Sequence, residues 1–215
     1  MNKNTNVNLI GISGKIGSGK DTVGAILQVL KTAALHDSNA IARIVANPFL
    51  MSSVQSQFDN WKIKKFAKKV KLIAELLTGI PVEKFEDQEF KLTNLPPEWS
   101  VNNTPMTVRE LLQKIGTDCM RNNLHTQTWV NALFSDYKPD EKWLITDVRF
   151  MNEVVAIKKR GGMIIRVDRG LDTGTHPSET ELDKYNFDYV IPNKQGLKEL
   201  IKEVKKFAIF NGQYE

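Results

Sequence analysis

The stretch GKIGSGKDT, which begins at Gly14, carries residue types that bind phosphate. Glycines let backbone N–H groups approach phosphate oxygens closely, and a lysine brings a mobile positive charge to a phosphate group. The common pattern G-x-x-x-x-G-K-[ST] has a hydroxyl residue directly after the lysine. Here Gly14, Gly19 and Lys20 fit that pattern, but Asp21 stands at the hydroxyl position and Thr22 follows one place later. The spacing predicts a phosphate-binding loop with an unusual final position.

The hydroxyl at that position normally binds Mg²⁺, so the predicted metal ligands are Asp21 and Thr22. The Asp21 carboxylate can reach the ion directly or through water, or the Thr22 hydroxyl can bind it instead. Alternatively, Asp21 only stabilises the start of the following helix, where a negative charge is favourable. A ligand-free strand–turn–helix connection is the alternative for the loop as a whole, and its three glycines and lysine argue against that reading.

A second acidic residue, Asp147, ends the apolar run WLITDV. Ligands of open α/β sheets bind at the carboxyl ends of the strands, which makes Asp147 a candidate for a metal or substrate site. Arg149 and Glu153 follow closely, and an arginine at this place can clamp a phosphate group. Two simpler readings stay open: Asp147 caps the next helix, and Arg149 pairs with Glu153 at the surface.

The elements that must position these residues alternate between strands and helices. After the loop, apolar residues recur with helical spacing at Val23, Ile26, Leu27 and Leu30. Short apolar runs bounded by turn signals predict strands. These runs are residues 8–13, 61–66, 143–148, 163–167 and 189–191. The alternation predicts an α/β fold in three layers, with a mostly parallel central sheet, helices on both faces and a small lid.

The pattern is weaker elsewhere. Residues 41–46 are compatible with a strand or with the end of a helix, and residues 47–60 are predicted to form a loop because they are rich in Ser, Gln and Asn. Thr107 and Glu110 have the spacing of a capping box. The helix that they begin is predicted to carry Cys119 on its core face.

Composition limits the class of protein. With 215 residues, 41% of them apolar, the chain is long enough for one globular domain. The net charge of +5 is mild: it fits an anionic small substrate or a weak nucleic-acid contact and demands neither. A strong nucleic-acid binder would show a denser basic stripe, so no nucleic-acid partner is expected. Cys119 is the only cysteine, which favours a reducing compartment, and no run approaches the roughly 20 apolar residues that span a bilayer. We therefore expect a cytoplasmic protein without a membrane partner.

Several segments together resemble a known family. They are GKIGSGKDT, KKFAKKVK, TVRELLQKIGTDCMRNN with the later WV, TDVRFMNE and HPSETEL. This set is similar to the deoxynucleoside monophosphate kinases of tailed bacteriophages, in which the loop also ends in Lys-Asp-Thr. The resemblance covers nearly the whole chain and is poorest over residues 39–60.

The resemblance implies the P-loop nucleoside monophosphate kinase fold and transfer of the γ-phosphate of ATP to a deoxynucleoside 5′-monophosphate. It implies ATP and Mg²⁺ as cofactors and nucleotides as the partners. The residues implied to contact the ATP phosphates are Gly14, Lys15, Gly17, Ser18, Gly19, Lys20, Asp21 and Thr22. Lys20, Asp147 and Arg149 are implied to be catalytic.

By position, the resemblance also implies the contacts of the phosphate acceptor. They are Lys71, Arg109, Gln113, Thr117, Asp118, Arg121, Trp129, Asp147, Arg149 and Glu153. Residues 1–215 would form one kinase domain, with an acceptor-binding helical insert at about 67–138 and a lid at about 169–180. Arg166 and Arg169 are candidates to reach the phosphates from that lid.

Three other functions remain open. A dephospho-coenzyme A or phosphomevalonate kinase would share the loop and the fold. A nucleotide-binding switch would hydrolyse ATP slowly without an acceptor, and a nucleic-acid-processing ATPase would be stimulated by DNA. The sequence leaves open whether the protein forms a homodimer, and which bases it accepts.

Overall fold

The computed structural model describes residues 7–33, 37–57, 61–171 and 176–211. The chain divides into two compact units, one formed by residues 1–65 and 137–215 and the other by residues 66–136. The predicted insert and lid stay predictions, and residues 172–175 of that lid lie outside the described residues.

The first unit contains a sheet of five strands. The strands are β1 (Leu9–Ser13), β2 (Trp61–Lys64), β3 (Lys142–Val148), β4 (Met163–Asp168) and β5 (Tyr189–Pro192). Their order in the sheet is β2-β3-β1-β4-β5, and all neighbouring strands are parallel. The described helices are α1 (Lys20–Ala33), α2 (Ser38–Ala46), α3 (Pro48–Gln57), α4 (Ala67–Thr78), α5 (Val108–Gln113), α6 (Thr128–Phe134), α7 (Met151–Lys159), α8 (Pro177–Thr180) and α9 (Leu197–Phe210).

The central strand β1 is buried along its whole length, as expected for a parallel strand covered on both sides. The contacts of Gly11 and Ile12, which are neighbours in β1, show which helix covers each face of the sheet. A Cβ placed on Gly11 would lie 2.8 Å from the Ile157 side chain of α7. A Cβ placed on Gly24 of α1 would lie 3.9 Å from the side chain of Ile12. Because neighbouring strand residues point to opposite faces, α7 and α1 cover opposite faces of the sheet. The predicted three-layer α/β fold is confirmed.

The second unit is helical. α5 begins at the predicted capping box, in which Thr107 and Glu110 bond each other reciprocally. It continues directly into a π-helix, Lys114–Leu124. The wider winding of a π-helix brings an N–H to the carbonyl five residues back, as where the His125 N–H donates to Met120 O. Three 3₁₀-helices, Val82–Glu86, Phe90–Leu92 and Pro97–Trp99, complete the described elements of this unit.

Two sequence-based predictions were wrong: the loop at residues 47–60, of which 58–60 lie outside the described residues, and the core position of Cys119. Residues 48–57 form helix α3 and no loop, because Asn47 caps it by accepting from the N–H groups of Phe49 and Leu50, and Pro48 fits the first turn. Cys119 is exposed and not in the core, because the wider winding of the π-helix breaks the 3.6-residue period that the prediction assumed. Residues 41–46 lie within α2, so the helical alternative was correct for them.

Within the described ranges, no helix is both long enough and apolar enough to cross a bilayer.

Replacing Glu110 with glutamine should destabilise the fold at neutral pH but not in acid. The Thr107 backbone N–H and hydroxyl donate to the Glu110 carboxylate and hold its pKa below the usual value. Because the folded-state pKa is the lower one, this stabilisation is complete above the unfolded-state pKa and is lost as the pH falls through the folded-state pKa. Thermal unfolding from about pH 7 to about pH 3 measures the difference from the wild type.

Removing the other half of the box, in Thr107→Ala, should lower the free energy of unfolding by about 1 kcal/mol. Glu98→Gln, at an exposed glutamate of the same unit, is the matched control. An equal, pH-independent loss in Glu98→Gln and Glu110→Gln would contradict the role of the capping box.

Candidate active site

The predicted phosphate loop joins β1, the middle strand of the sheet, to α1. Its backbone takes conformations that favour glycine: φ is 95° at Gly19, where an added Cβ would also lie 2.6 Å from the Asn193 amide nitrogen. At Gly14 an added Cβ would lie 2.7 Å from the Val167 carbonyl oxygen. The loop is therefore packed closely against the end of β4 and the residue that follows β5.

The Lys20 ammonium lies inside this loop. The residue is only 9% exposed, and Nζ donates to the carbonyl oxygens of Gly14 at 2.7 Å and Lys15 at 2.8 Å. Burial lowers the pKa of Lys20 to about 8, and the positive charge of Arg149 adds to that effect. The negative charges of Glu179, Asp21 and Asp147 act in the opposite direction.

Ser18 marks an unfilled hydrogen-bonding position in the loop. Its Oγ is buried and has no hydrogen-bond partner among the residues that the structure describes. Its carbonyl oxygen accepts from Asn193 Nδ2 at 2.8 Å, and its N–H donates to the Lys15 carbonyl. A buried hydroxyl without a partner calls for an explanation, and a phosphate oxygen at this place would supply the missing acceptor.

The Asp21 carboxylate contacts one side chain on β3 and one directly after β2. Its Oδ1 accepts from Thr146 Oγ1 at 2.7 Å and lies 3.0 Å from the Lys65 ammonium. Desolvation raises the pKa of Asp21, but the hydrogen bond from Thr146 and the charge of Lys65 outweigh it, so the pKa lies below its usual value. Asp21 therefore ties the start of α1 to β3 and to the residue after β2.

The Glu153 carboxylate bonds the backbone N–H of Arg149, so the two residues do not form the surface ion pair that the sequence left open. Glu153 is 2% exposed, and its Oε2 accepts from the N–H groups of Arg149 at 2.8 Å and Phe150 at 3.2 Å, which caps α7. The Arg149 guanidinium instead pairs with Glu179. The carboxyl end of β3 thus holds Asp147 and Arg149, and both charges reach Lys20.

The second unit carries the other predicted acceptor contacts. Lys71 is buried and forms a 2.5 Å ion pair with Glu86. The Nε of Arg109 is buried without a hydrogen-bond partner among the described residues. Trp129 is buried and donates from Nε1 to the Gly116 carbonyl at 2.7 Å, which ties α6 to the π-helix.

The remaining predicted contacts lie on α5 and the π-helix. Gln113 is the last residue of α5, and the π-helix carries Thr117, Asp118 and Arg121, of which Asp118 is exposed and Arg121 buried. With Arg109, which is also in α5, the structure brings five of the predicted acceptor contacts onto one continuous helical segment. Their contact with a nucleotide stays a prediction.

The chain matches the family model described as deoxynucleotide monophosphate kinase over residues 69–204, well over half of its length. The chain belongs to the deoxynucleotide monophosphate kinase family. The resemblance seen in the sequence is confirmed, and the protein is a kinase. The matched range begins after the phosphate loop, so the geometry of residues 14–22 is evidence separate from this match.

Three similar proteins come from viruses. The chain is 29% identical over 213 residues to a candidate deoxynucleotide monophosphate kinase of Acanthamoeba polyphaga mimivirus, a match that covers 91% of this chain and 93% of the relative. It is 30% identical over 121 residues to the deoxynucleotide monophosphate kinase of Enterobacteria phage T4, covering 53% and 47% of the two chains. For the enzyme of Escherichia phage RB69 the identity is 26% over 134 residues, covering 59% and 52%.

Sequence reasoning missed two side chains of this kinase that contact the phosphate loop. Asn193, after β5, bonds the Ser18 carbonyl, and Glu179, in α8, bonds the Ile16 N–H at 3.0 Å. The two residues of each contact are more than 160 positions apart in the sequence, so no local spacing predicts either contact. Arg169, a candidate to reach the phosphates, donates to the Gly17 carbonyl at 3.0 Å.

Binding of a nucleotide such as ATP should take up a proton above about pH 8. The pKa of Lys20 is about 8 in the unliganded protein, and bound phosphates would raise it toward the ordinary lysine value. Between these two values Lys20 is mostly neutral before binding and protonated after it, so ATP affinity should fall as the pH rises. Calorimetric titrations in two buffers with different ionisation enthalpies measure the proton uptake.

Lys20→Arg is the matched control, because arginine stays protonated over this pH range. It should show no proton uptake with ATP. The same uptake in both proteins would mean that another group titrates.

Proposed function

We propose that this kinase transfers the γ-phosphate of ATP to a deoxynucleoside 5′-monophosphate and so supplies precursors for DNA synthesis. An oxygen of the acceptor phosphate bonds to the γ-phosphorus, the bond from that phosphorus to the β,γ-bridging oxygen breaks, and ADP leaves. The observation that carries the proposal is the glycine loop closed around the buried Lys20 ammonium, in a chain of this family.

The donor side of the proposal uses the loop between β1 and α1. Its backbone N–H groups, the Ser18 hydroxyl and the start of α1 are suited to hold phosphate oxygens. Lys20 would move from the loop carbonyls to a phosphate oxygen and neutralise the charge that spreads over the γ-phosphate in the transition state. Residues 14–22 would thus contact ATP as the resemblance implies.

Mg²⁺ fits this site as an ion held mainly by the nucleotide. Within the described residues no group of three or more His, Cys, Asp or Glu side chains could hold a metal. Mg²⁺ commonly keeps several waters and binds one or two protein groups together with substrate phosphates. Because Asp21 already pairs with Lys65 and Thr146, the Thr22 hydroxyl is the more direct ligand, and Asp21 would act through water.

The two candidate ligands can be separated by mutation. Thr22→Ala should raise the Mg²⁺ concentration required for half-maximal activity about tenfold, because a direct ligand is lost, whereas Asp21→Asn should raise it less. Activity measured against Mg²⁺ at constant Mg·ATP gives both values. An unchanged Mg²⁺ requirement in both variants would contradict the assignment.

Asp147 and Arg149 would act at the carboxyl end of β3. Arg149 would stabilise negative charge on the transferring phosphate, and Asp147 would orient the acceptor or a water of the metal. Phosphoryl transfer needs positioned charges more than acid–base groups, and this end of the sheet supplies Lys20, Arg149 and Asp147 within electrostatic reach of one another.

Residues of the second unit are also proposed as acceptor contacts, as the resemblance implies. The buried, unsatisfied Nε of Arg109 supports a role in binding an anionic group. Arg121, Lys71 and Gln113 would add polar contacts, and Trp129 would form a wall for the base. Thr117 and Asp118 complete the proposed set of the second unit. In the first unit Glu153 would act on the acceptor through Arg149, because its buried carboxylate accepts from the Arg149 N–H.

The proposed function is tested by ADP formation from Mg·ATP with each of dAMP, dCMP, dGMP, dTMP, GMP and DNA. At least one deoxynucleotide should accelerate ADP formation strongly, and Lys20→Ala should abolish that acceleration. No response to any monophosphate would overturn the proposal and favour another small-molecule kinase or a switch. Stimulation by DNA alone would favour a nucleic-acid-dependent ATPase.

Arg109→Ala should raise the KM for the deoxynucleotide by about tenfold or more and leave the KM for ATP nearly unchanged, because a charged contact to one substrate is lost. Steady-state kinetics with each substrate varied in turn measures both constants. The exposed Lys84 of the same unit provides the control Lys84→Ala. A rise confined to the KM for ATP would contradict the acceptor role of Arg109.

The proposal includes a cytoplasmic protein that acts on free nucleotides and not on nucleic acid or membranes. Assembly as a homodimer is compatible with it and is tested by the molar mass in solution.

A further inference from the structure

Glu179 joins two parts of the first unit that the proposed mechanism uses. Its side chain is 5% exposed and lies in α8. One carboxylate oxygen, Oε2, accepts from the Ile16 N–H of the phosphate loop at 3.0 Å. The other, Oε1, pairs with the Arg149 guanidinium at the end of β3. A single buried carboxylate thus bridges the loop and Arg149.

The segment that carries Glu179 is also held by other contacts. Lys15 Nζ donates to the Glu179 backbone carbonyl at 2.6 Å and to Asp183 Oδ2 at 2.7 Å. Arg166 Nη2 donates to Asp183 Oδ1 at 3.3 Å. Because these contacts do not use the Glu179 side chain, changing that side chain should leave the segment in place.

Pairing with Glu179 fixes the direction of the Arg149 guanidinium. A buried carboxylate is stable only when its oxygens are paired, and pairing with a guanidinium fixes the direction of both groups. Arg149 is about 30% exposed and would sample several rotamers without this partner. Arginine stabilises a transition state well only when it is already in place before the reaction.

We propose that Glu179 is a positioning residue for phosphoryl transfer, which holds the Arg149 guanidinium in a fixed place relative to the Ile16 end of the phosphate loop. The inference rests on the proposed function of Arg149. Glu179 itself is not catalytic in this account, because its carboxylate acts through the two groups that it bonds.

The test is a double-mutant cycle on kcat with Glu179→Gln and Arg149→Ala. Glutamine keeps the size of the side chain but replaces one acceptor oxygen by a donor, so it cannot pair with both groups. In the wild-type background Glu179→Gln should lower kcat about tenfold, the effect of losing a hydrogen bond to a charged group. In the Arg149→Ala background the same change should alter kcat by less than about twofold, because Glu179 acts through Arg149.

Glu181→Gln is the matched control, since Glu181 lies two residues away, is exposed and accepts only from the Met151 N–H at 2.7 Å among the described contacts. It should leave kcat unchanged. An undiminished tenfold loss in the Arg149→Ala background would overturn the proposal. So would a higher kcat in Glu179→Gln, which would mean that the carboxylate withholds Arg149 from the reaction. If Glu179→Gln does not fold, Glu179→Asp takes its place in the same cycle.

A binding measurement separates this inference from the proposed function. ADP titration needs no acceptor and no turnover, so it remains informative even if no deoxynucleotide is phosphorylated. Glu179→Ala should bind ADP several-fold more weakly than Glu181→Ala, because the loop loses the carboxylate that fixes its Ile16 N–H. Equal or tighter binding by Glu179→Ala would overturn the positioning role.

Discussion

The buried ammonium of Lys20 is the constraint on which the arrangement of the first unit depends. A positive charge that is 9% exposed requires close acceptors, and the loop supplies two of its own carbonyl oxygens. The loop must therefore curve around the side chain, and its glycines permit that curvature. Burial also leaves the ammonium with a pKa near 8, so it gains more from an added phosphate than a solvated lysine would. Burial of the Lys20 charge therefore destabilises the unliganded protein and strengthens the binding of a phosphate group.

Two carboxylates near this lysine, those of Asp21 and Glu179, each connect separate parts of the first unit. Asp21 ties α1 to Thr146 and Lys65 on the side of β3 and β2, and Glu179 ties the loop to Arg149. Each of these two carboxylates accepts from one cationic group and one neutral donor and holds both in place. Their role is to position these donors and not to bind the phosphate. This explains how a site for phosphate can tolerate several acids: they neutralise part of the positive charge in the unliganded state and fix the direction of the rest.

Local patterns in the sequence predicted the features that depend on local chemistry. The loop, the capping box at Thr107 and the alternating strands and helices all follow from spacing over a few residues. Helix α3 was missed because polar composition outweighed the cap at Asn47, and Cys119 was misplaced because nothing in the spacing signals a π-helix. Asn193 and Glu179 were not assigned to the loop because tertiary structure brings them there. Periodicity describes one element at a time and carries no information on such contacts.

In the proposed function, Lys20 and its loop hold ATP while its γ-phosphate passes to a deoxynucleotide. The most direct measurement is the transfer of label from γ-labelled ATP, with the labelled product identified chromatographically. The wild type should give a labelled deoxynucleoside diphosphate. Lys20→Met, which keeps the length of the side chain but removes its charge, should give none. Label released only as inorganic phosphate, or equal transfer by Lys20→Met, would contradict the proposed function.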